Sequence, residues 1–151
     1  MPTVLVIDDR ADVRRALEAI LRARGYASRS ACGGESGLAA LRETDFDAVV
    51  VDIFMPDLDG IATIQAMRRE FPFVSIIAIS GHPIVTQSEG KPDFLKMAVK
   101  FGAEAALRKP FSPAQLIEAL SAAIGSRQNR SLPTKSPMES SFPSYDNSTA
   151  P

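Results

Sequence analysis

A chain of 151 residues, 45% hydrophobic and 23% charged, holds the material for one packed domain and leaves no room for a second sizeable one. Its 17 basic and 18 acidic residues balance to a formal charge of -1, so no overall field draws it to nucleic acid or to an anionic membrane surface. Cys32 is the only cysteine, which excludes an internal disulfide and the spacings of zinc sites. The start, MPTVLVIDD, turns acidic after a short apolar run and lacks the basic opening and length of a secretion signal. No apolar run approaches the ~20 residues that span a bilayer. A cytoplasmic protein is expected.

In chain order, short apolar runs alternate with longer segments of helical period, the pattern of a parallel sheet covered by helices on both faces. A first strand is expected over residues 4–8 (VLVID). Val13, Leu17, Ile20 and Leu21 then recur at helical spacing, so 12–24 reads as a helix stopped by Gly25. A second strand over 26–31 and a second helix over 34–43 follow. The third strand, 48–52 (AVVVD), precedes a helix marked by Ile61, Ile64 and Met67 that ends before Pro72. The fourth strand, 75–80 (SIIAIS), precedes a helix over 94–101 stopped by Gly102, and the fifth strand is expected over 103–107. The first, third and fourth strands are aliphatic enough to be buried on both faces and belong in the middle of the sheet. The last helix has Ser112 as its cap, Pro113 at its first position and Gln115 where a capping box requires it. Its buried stripe is Leu116, Ile117, Leu120 and Ile124. Near Gly125 the composition shifts to a Ser- and Pro-rich segment without period, so the ordered domain is expected over 1–125 and a disordered tail over 126–151.

Open sheets of this kind bind ligands beyond the C-terminal ends of their strands. Here those ends carry Asp8 and Asp9, then Asp52, then Ser80, then Lys109. Parallel strands bring all four ends to one edge, so three carboxylates, a hydroxyl and an ammonium are expected to converge. Carboxylates so close repel one another unless a cation compensates, and Mg²⁺ is the hard ion that favours such oxygen ligands beside phosphate. A carboxylate can also act as a nucleophile and form an aspartyl-phosphate. Transfer of a phosphoryl group then needs positive charge and hydrogen-bond donors around its oxygens, which Mg²⁺, Lys109 and Ser80 would supply.

Four strings, LVIDD at 5–9, VVVDIFMPDLDG at 49–60, AIS at 78–80 and LRKPF at 107–111, resemble the receiver domains of bacterial response regulators in order and in placement at strand ends. The resemblance spans about residues 2–125. It implies a flavodoxin-like, doubly wound sheet of five parallel strands in the order 2-1-3-4-5. It makes Asp52 the phosphoacceptor and Asp8 and Asp9 the acidic pair for Mg²⁺. Asp52 and the main-chain carbonyl of Phe54 complete the protein's share of the metal shell. Lys109 pairs with phosphoryl oxygens, Ser80 hydrogen-bonds one of them, and Pro110 follows a cis peptide bond. The implied partners are a sensor histidine kinase or a histidine phosphotransfer protein, and a downstream protein target. Neither nucleic acid nor membrane is expected as a partner, and either a monomer or a phosphorylation-dependent dimer is expected.

The sequence departs from the family pattern in ways that bear on output. Ala106 stands where receivers often carry an aromatic that rotates inward, and an alanine cannot gate anything. The segment GHPIVTQSEGKPD at 81–93 is longer than the family commonly has, and its glycines and prolines suggest a loop that reports phosphorylation. His82, in that segment, is either an exposed loop residue or a modulator of hydrolysis. Asp57 and Asp59 fit turn chemistry. No output domain is expected after the last helix, so the expected function is a stand-alone receiver that signals by contact and turns over no separate substrate. The alternatives are a phosphate shuttle in a relay, a constitutive interaction module that is never phosphorylated, and a phosphatase of another α/β family. The last commonly places a second acid two residues after its nucleophile, where this chain has Phe54.

Overall fold

The computed structural model describes residues 1–55, 59–81 and 94–131, with side chains through 127. Among them are five parallel strands, β1 (Thr3–Ile7), β2 (Ala27–Ala31), β3 (Ala48–Asp52), β4 (Ser75–Ser80) and β5 (Ala105–Arg108), in the order β2-β1-β3-β4-β5. Five helices connect or follow them: α1 (Ala11–Ala23), α2 (Gly34–Glu43), α3 (Gly60–Glu70), α4 (Phe94–Lys100) and α5 (Pro113–Ser131). The order is the one expected.

Burial follows from the alternation of side chains along each strand. Every residue of β3 and β4 is buried, as is all of β1 but Thr3, because both faces of the central strands are covered. On one face Leu5, Ile7, Val49, Val51 and Ile76 meet Leu38, Leu41, Ile64, Met67 and Ala98 of α2, α3 and α4. On the other, Val4, Val6, Val50, Ile77 and Ile79 meet Leu17 and Leu21 of α1 and Leu116, Leu120 and Ile124 of α5. The edge strands β2 (ASRSA) and β5 (AALR) are only partly buried.

Element ends follow local chemistry. Gly25 closes α1 at φ +83°, a conformation that favours glycine, and Gly102 follows α4 at φ +124°. At α5 the Ser112 hydroxyl accepts the Gln115 N–H at 3.1 Å and Gln115 Oε1 accepts the Ser112 N–H at 2.8 Å, the expected capping box. Several boundaries move by one residue, β1 among them, and two expectations shift further. Strand β5 starts at Ala105 rather than at 103, because the Ala103 N–H still closes the α4 turn on the Ala98 carbonyl at 3.0 Å. The boundary expected at 125/126 falls inside α5, which continues to Ser131. A side chain at Gly125 would meet nothing, so this glycine faces outward and does not stop the helix. Two residues on, the Arg127 guanidinium reaches the Asp47 carbonyl at 3.1 Å and its carboxylate at 3.2 Å. The remainder of the Ser- and Pro-rich segment, 132–151, lies outside the described residues, as do Asp57, His82 and the rest of 82–93. No helix among the described residues is long and apolar enough to cross a membrane.

Candidate functional site

The register of the central strands sets Ile7 beside Val51, Asp52 beside Ile79, and Ser80 beside Arg108. The residues at and just after these ends therefore share one edge of the sheet. Asp8 follows β1 and is fully buried; Asp9, next to it, is exposed. Asp52 ends β3 with only 6% of its surface exposed. One carboxylate oxygen from each of the three lies within 4.8 Å of the others. Lys109, one residue past β5, places Nζ 3.4 Å from Asp8 Oδ2 and 3.9 Å from Asp52 Oδ2. Ser80 is buried at the end of β4, and its carbonyl accepts the Lys109 N–H at 2.8 Å. The Lys109–Pro110 peptide bond is cis, as the resemblance implies.

Local bonds hold these groups in place. Asp8 Oδ1 accepts the Arg10 N–H at 2.9 Å, and the Arg14 guanidinium donates to the Asp8 carbonyl at 2.7 Å. Asp52 Oδ1 accepts the Phe54 N–H at 2.9 Å. Close approach requires a glycine at 60 and leaves little room for a side chain at 81. A Cβ at Gly60 would lie 2.1 Å from Ile53 Cα and 2.5 Å from the Asp52 carbonyl oxygen. A Cβ at Gly81 would press at 3.2 Å on the Lys109 stem, which lies across it.

Burial is the main cause that lifts the Asp52 carboxyl from its ordinary value to about 6. The Phe54 N–H pulls it down, the Asp8 charge pushes it up, Lys109 pulls it down, and Asp9 adds a smaller upward push. A buried carboxyl beside two others is short of positive charge even with one ammonium at hand. Three hard oxygen donors gathered under that deficit fit a small divalent cation such as Mg²⁺.

The structure thus brings together Asp8, Asp9, Asp52 and Lys109, with Ser80 at the same edge and Phe54 adjoining Asp52. Asp59 serves the helix instead, since its Oδ1 accepts the Ala62 N–H at 2.7 Å and caps α3. Sequence reasoning missed Arg14 and Phe94. The Phe94 ring meets the Phe54 ring edge-on, with centroids 5.2 Å apart and planes at 80°. Nothing in local periodicity marks either residue, since both act through contacts made only in the fold.

Comparison with known proteins agrees with this geometry. A family model described as the response regulator receiver domain matches residues 4–121. Among curated relatives, the transcriptional regulatory protein PrrA of Mycobacterium leprae is 35% identical over 126 residues, which is 83% of this chain and 51% of that protein. A putative NtrX-like response regulator of Rickettsia bellii is 29% identical over 116 residues, 76% of this chain and 23% of that protein. The chain therefore spans about half or less of the length of these relatives. Among solved structures, a response regulator receiver domain protein of Clostridium thermocellum superposes with a TM-score of 0.77 at 27% identity, covering 86% of this chain and 99% of that one. The chemotaxis protein CheY4 of Vibrio cholerae superposes with a TM-score of 0.71 at 26% identity, covering 82% and 98%. With the family match over most of its length and the acidic edge of its sheet in the arrangement described, the chain belongs to the response regulator receiver domain family.

Proposed function

We propose that the protein is a phosphoryl-accepting switch. Asp52 takes a phosphoryl group from the phosphohistidine of a sensor histidine kinase or a histidine phosphotransfer protein. The modified domain then signals by contact with a downstream protein. The observation that carries this reading is the cluster of Asp8, Asp9 and Asp52 with the Lys109 ammonium within 4 Å of two of its carboxylates.

The chemistry follows from these positions. A carboxyl group that titrates at about 6 is ionised at neutral pH and more basic than a surface carboxylate, which suits a nucleophile. An Asp52 oxygen forms a bond to phosphorus as the phosphorus–nitrogen bond of the donor breaks. The electron pair leaves with the imidazole nitrogen, which takes a proton from solvent. Asp8, Asp9, Asp52 and the Phe54 carbonyl would hold Mg²⁺, which when bound offsets negative charge on the phosphoryl oxygens. Lys109 adds positive charge beside the Asp8 and Asp52 carboxylates. Ser80, at the adjoining strand end, donates its hydroxyl to a phosphoryl oxygen. The domain turns over no separate metabolite: it gains the group and loses it to water.

Intact-mass spectrometry of the protein with Mg²⁺ and acetyl phosphate, run beside Asp52→Ala, tests this reading. The expected result is a gain of one phosphoryl group that needs both Mg²⁺ and Asp52. The same gain in Asp52→Ala, or none with several small donors, overturns it.

A further inference from the structure

Phe54 makes two contacts that join the phosphoacceptor to an outer helix. Its N–H donates to Asp52 Oδ1 at 2.9 Å, and its ring meets Phe94 at 5.2 Å in a T-shaped pair. Phe94 is the first residue of α4 and is 39% exposed; Val99, on the same helix, is 48% exposed. Between them Ala98 is fully buried in the core shared with β3 and β4. The distance from the acidic cluster to a surface apolar side chain is thus bridged by one hydrogen bond and one ring contact. The position on β5 offers a smaller side chain. Ala106 pairs with Ala78 of β4, and a methyl group has no second rotamer to adopt.

We infer that the Phe54–Phe94 pair is the device that couples Asp52 to α4, an inference that rests on Asp52 being the phosphoacceptor. A carboxylate accepts the Phe54 N–H as a charge-assisted bond, and conversion to an acyl phosphate leaves a neutral carbonyl or ester oxygen in its place. Such a bond is roughly half as strong. The Phe54 peptide therefore has a different hold in the two states, which is the differential contact that any switch needs. Its ring carries the difference to Phe94 and so to the start of α4. Coupling of this kind is reciprocal: a partner that seats on α4 and fixes the Phe94 ring shifts the phosphorylation equilibrium of Asp52 by the same factor. An aromatic pair of this geometry can transmit a ~2- to 10-fold effect.

The test is amide exchange of residues 94–100 in the full chain before and after phosphorylation, with intact mass read on the same samples, for wild type, Phe94→Ala and Phe94→Tyr. Expected is a ~2- to 10-fold change in α4 exchange on phosphorylation of wild type and of Phe94→Tyr, and loss of that change in Phe94→Ala at equal phosphoryl content. An α4 response in Phe94→Ala equal to that of wild type overturns the inference, as does a phosphorylated wild type with unchanged α4. No mass gain in wild type overturns the proposed function instead and removes the ground of this inference with it, and the mass reading alone separates the two failures.

Discussion

Lys109 and Asp8 stand 101 positions apart in the chain, and Lys109 Nζ lies 3.4 Å from Asp8 Oδ2. Neither residue's own segment brings them together. Asp8 is placed by β1, Lys109 by β5, and the two strands are separated in the sheet by β3 and β4. The ammonium reaches across the ends of those strands because its stem lies over Gly81, where a side chain would crowd it.

Removing that ammonium tests its part in the balance of charge. In Lys109→Met the Asp52 carboxyl loses one of the two influences that pull its pKa down, so it titrates above about 6. The phosphoryl group also loses a positive neighbour, and uptake is expected to slow by ~10²-fold. Carbon-detected titration of the Asp52 carboxyl and mass spectra taken through the reaction check the two effects separately.

The raised pKa of Asp52 makes stability depend on pH, and the direction is fixed by linkage. The folded state holds the Asp52 proton more tightly than the unfolded chain. This contribution is therefore fully present below the ordinary carboxyl value and is lost as pH rises through about 6. Between about pH 4 and about pH 7.5 the loss is on the order of 2 kcal/mol. Mg²⁺ competes with that proton, so it is expected to restore stability at about pH 7.5 and to have little effect at about pH 5. Urea denaturation at both pH values, with and without Mg²⁺, reads this out. Asp52→Asn is expected to be the more stable protein without Mg²⁺ at about pH 7.5 and to lose most of the Mg²⁺ effect.

What could be read from the sequence was what burial and strand ends dictate. The strands rich in Val and Ile are the central ones because only a strand covered on both faces needs a continuous apolar run. Asp8, Asp52, Ser80 and Lys109 were identifiable because parallel connections force strand ends to one edge. The end of α5 was not, because a shift in composition is not a stop signal: Gly125 faces outward, and the anchor that extends the helix, Arg127 on Asp47, joins residues 80 apart. The Phe54–Phe94 contact was invisible for the same reason, since neither aromatic falls in a periodic pattern that would pair it with the other.

Gly60→Ala probes the packing behind Asp52. The added methyl would sit 2.1 Å from Ile53 Cα and 2.5 Å from the Asp52 carbonyl oxygen, and both are backbone atoms that cannot swing aside. Either α3 or the end of β3 must move. The expected cost is about 3 kcal/mol in chemical denaturation, with slower phosphoryl uptake because Asp52 moves with its strand. A loss below about 0.5 kcal/mol with unchanged uptake would show that the α3 start is free to retreat.

At the opposite end of the sheet a second charge network offers a stability test that leaves the acidic cluster alone. The Arg68 guanidinium donates to the Pro72 carbonyl at 2.9 Å, the Val74 carbonyl at 3.0 Å, the Gly102 carbonyl, and the Glu104 carboxylate at 3.0 and 3.2 Å. Glu104 Oε2 in turn accepts the Ile76 N–H at 2.5 Å. The pair ties the end of α3 to the start of β4 and to the turn before β5, and both side chains are mostly buried. Glu104→Ala leaves the Arg68 charge and the Ile76 N–H without this partner, so a loss of about 3 kcal/mol is expected. Replacing both members by methionine removes the unpaired charge and should recover part of that loss. Phosphoryl uptake at temperatures where the variants stay folded should match wild type, because these bonds lie at the starts of β4 and β5, at the edge of the sheet opposite the acidic cluster. A cost for Glu104→Ala below about 1 kcal/mol would instead mark the pair as a solvated surface bridge, with the β4–β5 junction held by its backbone bonds alone.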